Sequence, residues 1–222
     1  YLDTGDIEEI RELRKTGIIE GVTTNPVLIR KYLNKRNISF DEYIEKLLEN
    51  TDGIQTFIQP VADNVEQFIF EAHKFLKKYG GGKNIVIKVP LRICGKNSNN
   101  YLDSLVALNE LSKKGVIVNA SAVMSPEQAV LASKAGATYF AIFTGNVDDF
   151  IRQQAGIKFE KDDYYGKDIS KREVNGMEVL CGEDLVDKII DLSKKLNLNS
   201  KIVIAGVRNR HAFRNYLEKD VE

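Results

Sequence analysis

The chain has 222 residues, 43% hydrophobic and 29% charged, with 32 basic side chains balanced by 32 acidic ones so that its formal charge at pH 7 is zero. That length suits one α/β domain with a large core and is short for two ordinary domains. A zero net charge supplies no long-range field to gather nucleic acid or anionic lipid, so neither is expected as a partner, and any anion has to be met by local basic groups.

Cys94 and Cys181 stand far apart and outside any CxxC pair, which argues against a disulfide framework or a zinc site. The histidines, His73 in a helical stretch and His211 after an arginine-rich turn, read as ordinary surface residues. No run is long enough to span a bilayer and no leader pattern is visible, which together point to a reducing, cytoplasmic setting. The first residue is Tyr1 rather than Met, so the natural N-terminus need not be residue 1.

Along the chain, short apolar runs alternate with longer amphipathic stretches. A strand over 1–3 precedes a helix over 6–15, and a strand over 21–24 precedes a helix over 40–49. The next pair is a strand over 55–61 and a helix over 63–78, where apolar residues recur at helical spacing and lysines gather in the last turn. The run over 84–90, ending IVIKVP, is apolar at nearly every position, as in a parallel strand covered on both faces. A loop over 92–100 leads to a helix over 101–113. After a strand over 116–120, Ser125 and Pro126 read as an N-cap and a first helical position for a helix over 126–135. A strand over 138–143 opens a long loop over 145–176 carrying FEKDDYYGKDISKRE, then a helix over 183–196. A strand over 201–206 and a helix over 211–218 complete seven units, and the chain stops where an eighth strand would begin, at 220–222. This alternation predicts a parallel α/β fold and separates a barrel from an open sheet only loosely; the expected architecture is a (β/α)8 TIM barrel spanning 1–222 as a single domain, with the eighth unit missing or truncated. Both long loops follow strands, on the face where barrel enzymes place their sites, so each reads as a lid, a subunit contact or a surface excursion.

Lys88 stands inside the apolar run NIVIKVP. Alternation puts Val86 and Lys88 on one face and Ile87 and Val89 on the other. An ammonium there is desolvated wherever it points, which lowers its pKa and favours the neutral amine that attacks a carbonyl. A structural lysine paired with a buried carboxylate answers the same pattern, and spacing alone leaves both readings open.

YLDT at 1–4, GVTTNP at 21–26, VIKVP at 86–90 and QAVLASKAGATYFA at 128–141 together resemble the small transaldolase family, which includes the fructose-6-phosphate aldolases. The resemblance covers almost the whole chain. It implies a class I mechanism in which Lys88 forms a Schiff base with a ketose, the bond between C3 and C4 breaks, and a dihydroxyacetone unit is passed to a second aldehyde. Asp3 then corresponds to the first-strand acid/base. Thr24 and Asn25 fall in the second-strand motif, where asparagine binds substrate hydroxyls. Asn119 and Ser121 follow the fifth strand, Ser121 keeping a hydroxyl for the catalytic water, and Arg208, supported by Arg210, corresponds to a phosphate-binding arginine. All lie at the C-terminal ends of predicted strands.

The chain departs from the family pattern at several positions. Gln59 stands where transaldolases have glutamate and the aldolases have glutamine, whereas Phe143 is the transaldolase residue where the aldolases have tyrosine. Ala141 replaces a common serine, Asn146 a second phosphate arginine, and Gly206 a serine that helps hold the phosphate. A sugar-phosphate transaldolase of the pentose phosphate pathway, an aldolase acting on a different or unphosphorylated ketose, and a catalytically silent metabolite-binding or assembly barrel all stay open. A metal-dependent aldolase is disfavoured by the lack of a histidine cluster. The resemblance implies no cofactor and no metal, a small sugar or sugar phosphate as ligand, and a homo-oligomer.

Overall fold

The structure, a computed structural model, describes residues 1–82, 84–91, 101–167, 179–219 and 221. The chain forms two compact units, Tyr1–Asn119 and Ala120–Glu222.

The first unit runs β1 (Leu2–Asp3), α1 (Ile7–Arg14), β2 (Gly21–Thr23), α2 (Pro26–Arg36), α3 (Phe40–Asn50), β3 (Gln55–Ile58), α4 (Val65–Tyr79), β4 (Ile85–Pro90) and α5 (Tyr101–Lys113). Each of β1, β2 and β3 pairs in parallel with the next strand in sequence. Five consecutive residues of β4, Ile85 to Val89, are buried, as a strand covered on both faces requires. The core of this unit includes Ile7 and Ile10 of α1, Tyr43, Ile44 and Leu47 of α3, and Phe68 and Ala72 of α4, all essentially without solvent exposure. Local chemistry starts the helices. The Asp6 carboxylate accepts from the Glu8 and Glu9 amides at 3.0 and 3.3 Å at the head of α1, and Asn64 caps α4.

Strand β5 (Val118–Val123) carries the chain into the second unit, which continues with α6 (Pro126–Lys134), β6 (Tyr139–Phe143), α7 (Thr144–Gln154), α8 (Gly182–Lys195), β7 (Lys201–Ala205) and α9 (Arg210–Leu217). Strands β6 and β7 pair in parallel from Tyr139↔Lys201 to Phe143↔Ala205. The core here is built from Phe140 and Ile142 of β6, Val147 and Ile151 of α7, and Leu185, Val186 and Ile189 of α8. Ser125 caps α6 with Pro126 at its first turn, as the sequence predicts. Among the described residues seven strands alternate with helices, which is the chain order of a (β/α)8 barrel.

Two helices go beyond the sequence expectation. Residues 26–36 form α2, and the predicted loop over 145–176 begins as helix α7. Gly145 and Asn146 read as a turn, and α7 has no side-chain cap, but Val147 and Ile151 stand at helical spacing and are buried. Residues 168–176 of that loop, the loop over 92–100 with Cys94, and residues 220 and 222 lie outside the described residues. Val221 belongs to no regular element.

Candidate active site

Strand register decides what faces what in the first unit. Asp3 pairs with Thr23, Thr23 with Phe57, and Phe57 with Val86, so these four side chains share one face. Lys88, two residues beyond Val86, shares it too, and Gln59 lies two residues beyond Phe57, just past the end of β3. Lys88 is only 6% exposed. Its Nζ donates to Thr23 Oγ1 at 2.9 Å and to the Thr24 carbonyl at 2.8 Å. Among the described residues no carboxylate forms an ion pair with it. Burial therefore holds the Lys88 amine below its ordinary pKa, and the attraction of Asp3 opposes this only in part.

Asp3 is pushed the other way, above the usual carboxylate range, by desolvation, with Lys88 opposing. Its residue surface is nevertheless open to solvent. Lys88, by contrast, is itself enclosed.

Thr24 is completely buried, and both its hydroxyl and its amide donate to the Phe57 carbonyl, at 3.1 and 3.0 Å. It meets Lys88 through its carbonyl rather than its side chain. Asn25 caps α2, its Oδ1 accepting from the Val27 and Leu28 amides at 3.0 Å each. A ligand contact by Asn25 therefore falls to its Nδ2 donors. The Ile87 amide donates to the Ile117 carbonyl, and the even spacing of a parallel ladder then sets Asn119 level with Lys88. Asn119 is buried, and among the described residues its Oδ1 has no hydrogen-bond partner. A buried acceptor in that state is poised to take a donor from a ligand hydroxyl.

In the second unit Ser121 is buried in β5, and Ala122 beside it has φ 63°, a left-handed value that a non-glycine residue adopts at a cost. Ala141 is buried in β6, while Phe143 is half-buried and occupies the N-cap position of α7 without capping it. Arg208 follows β7, and its Nη1 donates to Asp149 Oδ2 at 2.6 Å and to the Lys161 carbonyl at 3.2 Å. Its guanidinium lies over Gly145, where a Cβ would come within 2.9 Å of Nε. Gly206 has φ +78°, so the serine of the family pattern is replaced at a place where the backbone favours glycine. Asn146 and Arg210 are exposed at the starts of α7 and α9.

Sequence reasoning passed over Thr23 and Asp149. Thr23 was reachable by carrying the face of Lys88 across β3 to β2. Asp149 lies in a stretch read as loop, and nothing in the sequence pairs it with Arg208. Among the described residues no group of three or more His, Cys, Asp or Glu side chains is placed to hold a metal ion, and no helix is long and apolar enough to cross a membrane. Cys181 is a free, buried thiol whose Sγ accepts from the Asp184 amide at the head of α8.

Known proteins extend this picture. A probable transaldolase of Petrotoga mobilis is 32% identical over 209 residues, covering 94% of this chain and 74% of its own length. One from Clostridioides difficile is 33% identical over 214 residues, covering 94% and 76%. A probable transaldolase 2 of Bacillus cereus is 32% identical over 152 residues, 67% of this chain and 63% of that protein, so this match spans less than two thirds of the relative. A solved mandelate oxidase variant superposes with a TM-score of 0.52 at 11% identity, over 97% of this chain and 57% of the other, a likeness of fold alone. The transaldolase/fructose-6-phosphate aldolase family matches over residues 1–215, a span that takes in β1 with Asp3, β4 with Lys88 and the turn with Arg208, and the chain belongs to that family.

Proposed function

We propose that the chain is a class I aldolase of the transaldolase type, with Lys88 as the nucleophile that forms a Schiff base with a ketose. The observation that carries this reading is a buried amine, depressed in pKa, held by Thr23 Oγ1 and the Thr24 carbonyl rather than by a paired carboxylate among the described residues. The neutral amine adds to the ketose carbonyl, and loss of water leaves an iminium that accepts the electron pair of the C3–C4 bond as an aldehyde departs. Asp3, on the same face and inclined to hold a proton, serves as the acid/base. Asn25 and Asn119 bind substrate hydroxyls, Ser121 holds the water through which protons move, and Gln59 stands at the position from which the family activates that water. Ala141 and Phe143 line the substrate, Thr24 fixes the lysine, and Arg208 with Arg210 receives a phosphate. The dihydroxyacetone enamine then adds to a second aldehyde, which makes the enzyme a transferase between sugar phosphates. A homo-oligomer in cytoplasmic pentose phosphate metabolism is the setting that the family suggests.

A second reading, an aldolase acting on a different or unphosphorylated ketose, is favoured by Gln59, the aldolase residue of the family pattern. Gly206 adds a second point in its favour, because its left-handed backbone goes with the loss of a phosphate-binding hydroxyl.

Borohydride reduction in the presence of fructose 6-phosphate or dihydroxyacetone tests the chemistry. A mass adduct is expected in the wild type and absent from Lys88→Ala. An adduct that persists in the variant, or none with any ketose, sinks the proposal, and Lys88-dependent turnover excludes a silent barrel. Product that forms only with an added acceptor aldehyde separates transferase from aldolase.

A further inference from the structure

We propose that Asp149, fixed from behind by the buried Arg152, is a positioning residue that aims Arg208 at the anionic end of the substrate. The inference rests on the sugar-phosphate reading of Arg208 given above. Asp149 lies one turn into α7 and bridges two arginines: Oδ1 accepts from Arg152 Nη2 at 3.0 Å and Oδ2 from Arg208 Nη1 at 2.6 Å. Arg152 is a rigid anchor. Its side chain is 3% exposed, its guanidinium carbon lies 3.9 Å from the centre of the Phe159 ring and 5.5 Å from that of Tyr165, and its Nη1 donates to the Asp163 carbonyl.

What this does to Arg208 follows from counting its donors. Nη1 carries two hydrogens, and one goes to Asp149 and the other to the Lys161 carbonyl. Among the described residues Nε and Nη2 have no recorded partner, and their N–H groups form the parallel fork that grips a phosphate or carboxylate with two bonds. Two contacts on Nη1 stop the guanidinium from turning that fork away. Gly145 lets the group lie flat, since a Cβ there would stand 2.9 Å from Nε and 3.0 Å from Cζ. The other carboxyl of α7 near Arg208, that of Asp148, is engaged by the Gly182 amide at 2.6 Å, and among the described residues it makes no hydrogen bond to Arg208. Asp148 and Asp149 together balance the two guanidinium groups near neutral pH, so an anion is held by the aimed N–H donors of the fork rather than drawn by net charge.

A carboxylate against an arginine can instead act as a competitor that fills the anion's place, and the two roles give opposite outcomes. Inorganic phosphate is titrated calorimetrically into the full chain as wild type, Asp149→Ala, Asp149→Asn and Arg208→Met, the last setting the floor. Kinetics with fructose 6-phosphate accompany the titrations. Asp149→Ala is expected to weaken phosphate by roughly tenfold, the size of losing one well-aimed charged contact. KM rises by a similar factor while kcat moves much less. Asp149→Asn, which keeps one acceptor for Nη1, falls between, and it alone answers the question if the alanine variant does not fold. Unchanged or tighter phosphate binding in the folded variants overturns the inference. A wild type that takes up no phosphate overturns it together with the sugar-phosphate reading, and Lys88-dependent trapping with dihydroxyacetone would still stand.

Discussion

A lysine buried for structural reasons needs a counter-charge to offset the loss of its hydration, and Lys88 has only a hydroxyl and a carbonyl as hydrogen-bond partners among the described residues. Its folded pKa lies below 10.5, so unfolding takes up a proton between the two values. The resulting penalty on stability is present in full below the folded pKa and vanishes as the pH rises through 10.5. Lys88→Met, apolar and of similar length, removes that penalty and leaves Thr23 Oγ1 and the Thr24 carbonyl short of a donor, a smaller loss. The variant is expected to melt at or above the wild-type temperature at neutral pH, with no borohydride adduct. A melting point several degrees lower would identify Lys88 as a structural ion-pair residue instead. Alternation within β4 made the placement of Lys88 and Val86 readable from sequence. The hold of Thr23 on its amine was not, because it depends on the register of β2 on β3 and of β3 on β4.

At the scale of elements, one residue does two jobs in α2. The motif GVTTNP is both a turn into a helix and a substrate-binding signature, and Asn25 meets the first description through Oδ1. The sequence hid α2 because only Ile29 and Tyr32 of its 11 residues are buried and the rest present no broad apolar face. What hid α7 was its opening, which has no side-chain cap, although Val147 and Ile151 are buried. The two jobs of Asn25 can be separated. Asn25→Ala loses cap and amide together and is expected to cost about 1 kcal/mol of stability as well as activity. Asn25→Ser keeps a neutral capping oxygen but no Nδ2, so it should melt near the wild type while kcat/KM falls by about tenfold, the size of a lost hydrogen bond to a ligand. Parallel loss of stability and activity in both variants would mean that Asn25 acts only through the helix.

Across the whole molecule, equal numbers of acidic and basic side chains leave little net self-repulsion at neutral pH. The pH dependence of stability is then set by individual groups whose surroundings shift them. Asp6 and Asp187 are held below their ordinary value by hydrogen bonds and nearby cations that outweigh burial, so their contribution is present above 3.8 and is lost as the pH falls through their folded values. Asp148 behaves oppositely. Burial raises it to about 6, against the Gly182 amide that donates to its Oδ1 at 2.6 Å and the attraction of Arg152 and Arg208. The folded chain thus binds more protons than the unfolded chain between 3.8 and about 6, and stability declines as the pH rises through that window. The Cys181 thiol nearby, pushed up to about 12, stays protonated throughout and adds nothing to the slope. Asp148→Asn retains an acceptor for the Gly182 amide and removes the titration. Calorimetric melting points of variant and wild type should nearly coincide at the acid end of the window and separate towards neutrality, with the variant higher. Two curves that stay parallel across the window would show that Asp148 is solvated enough to ionise at its ordinary value, and that burial around α7 is not what shapes the acid side of the stability profile.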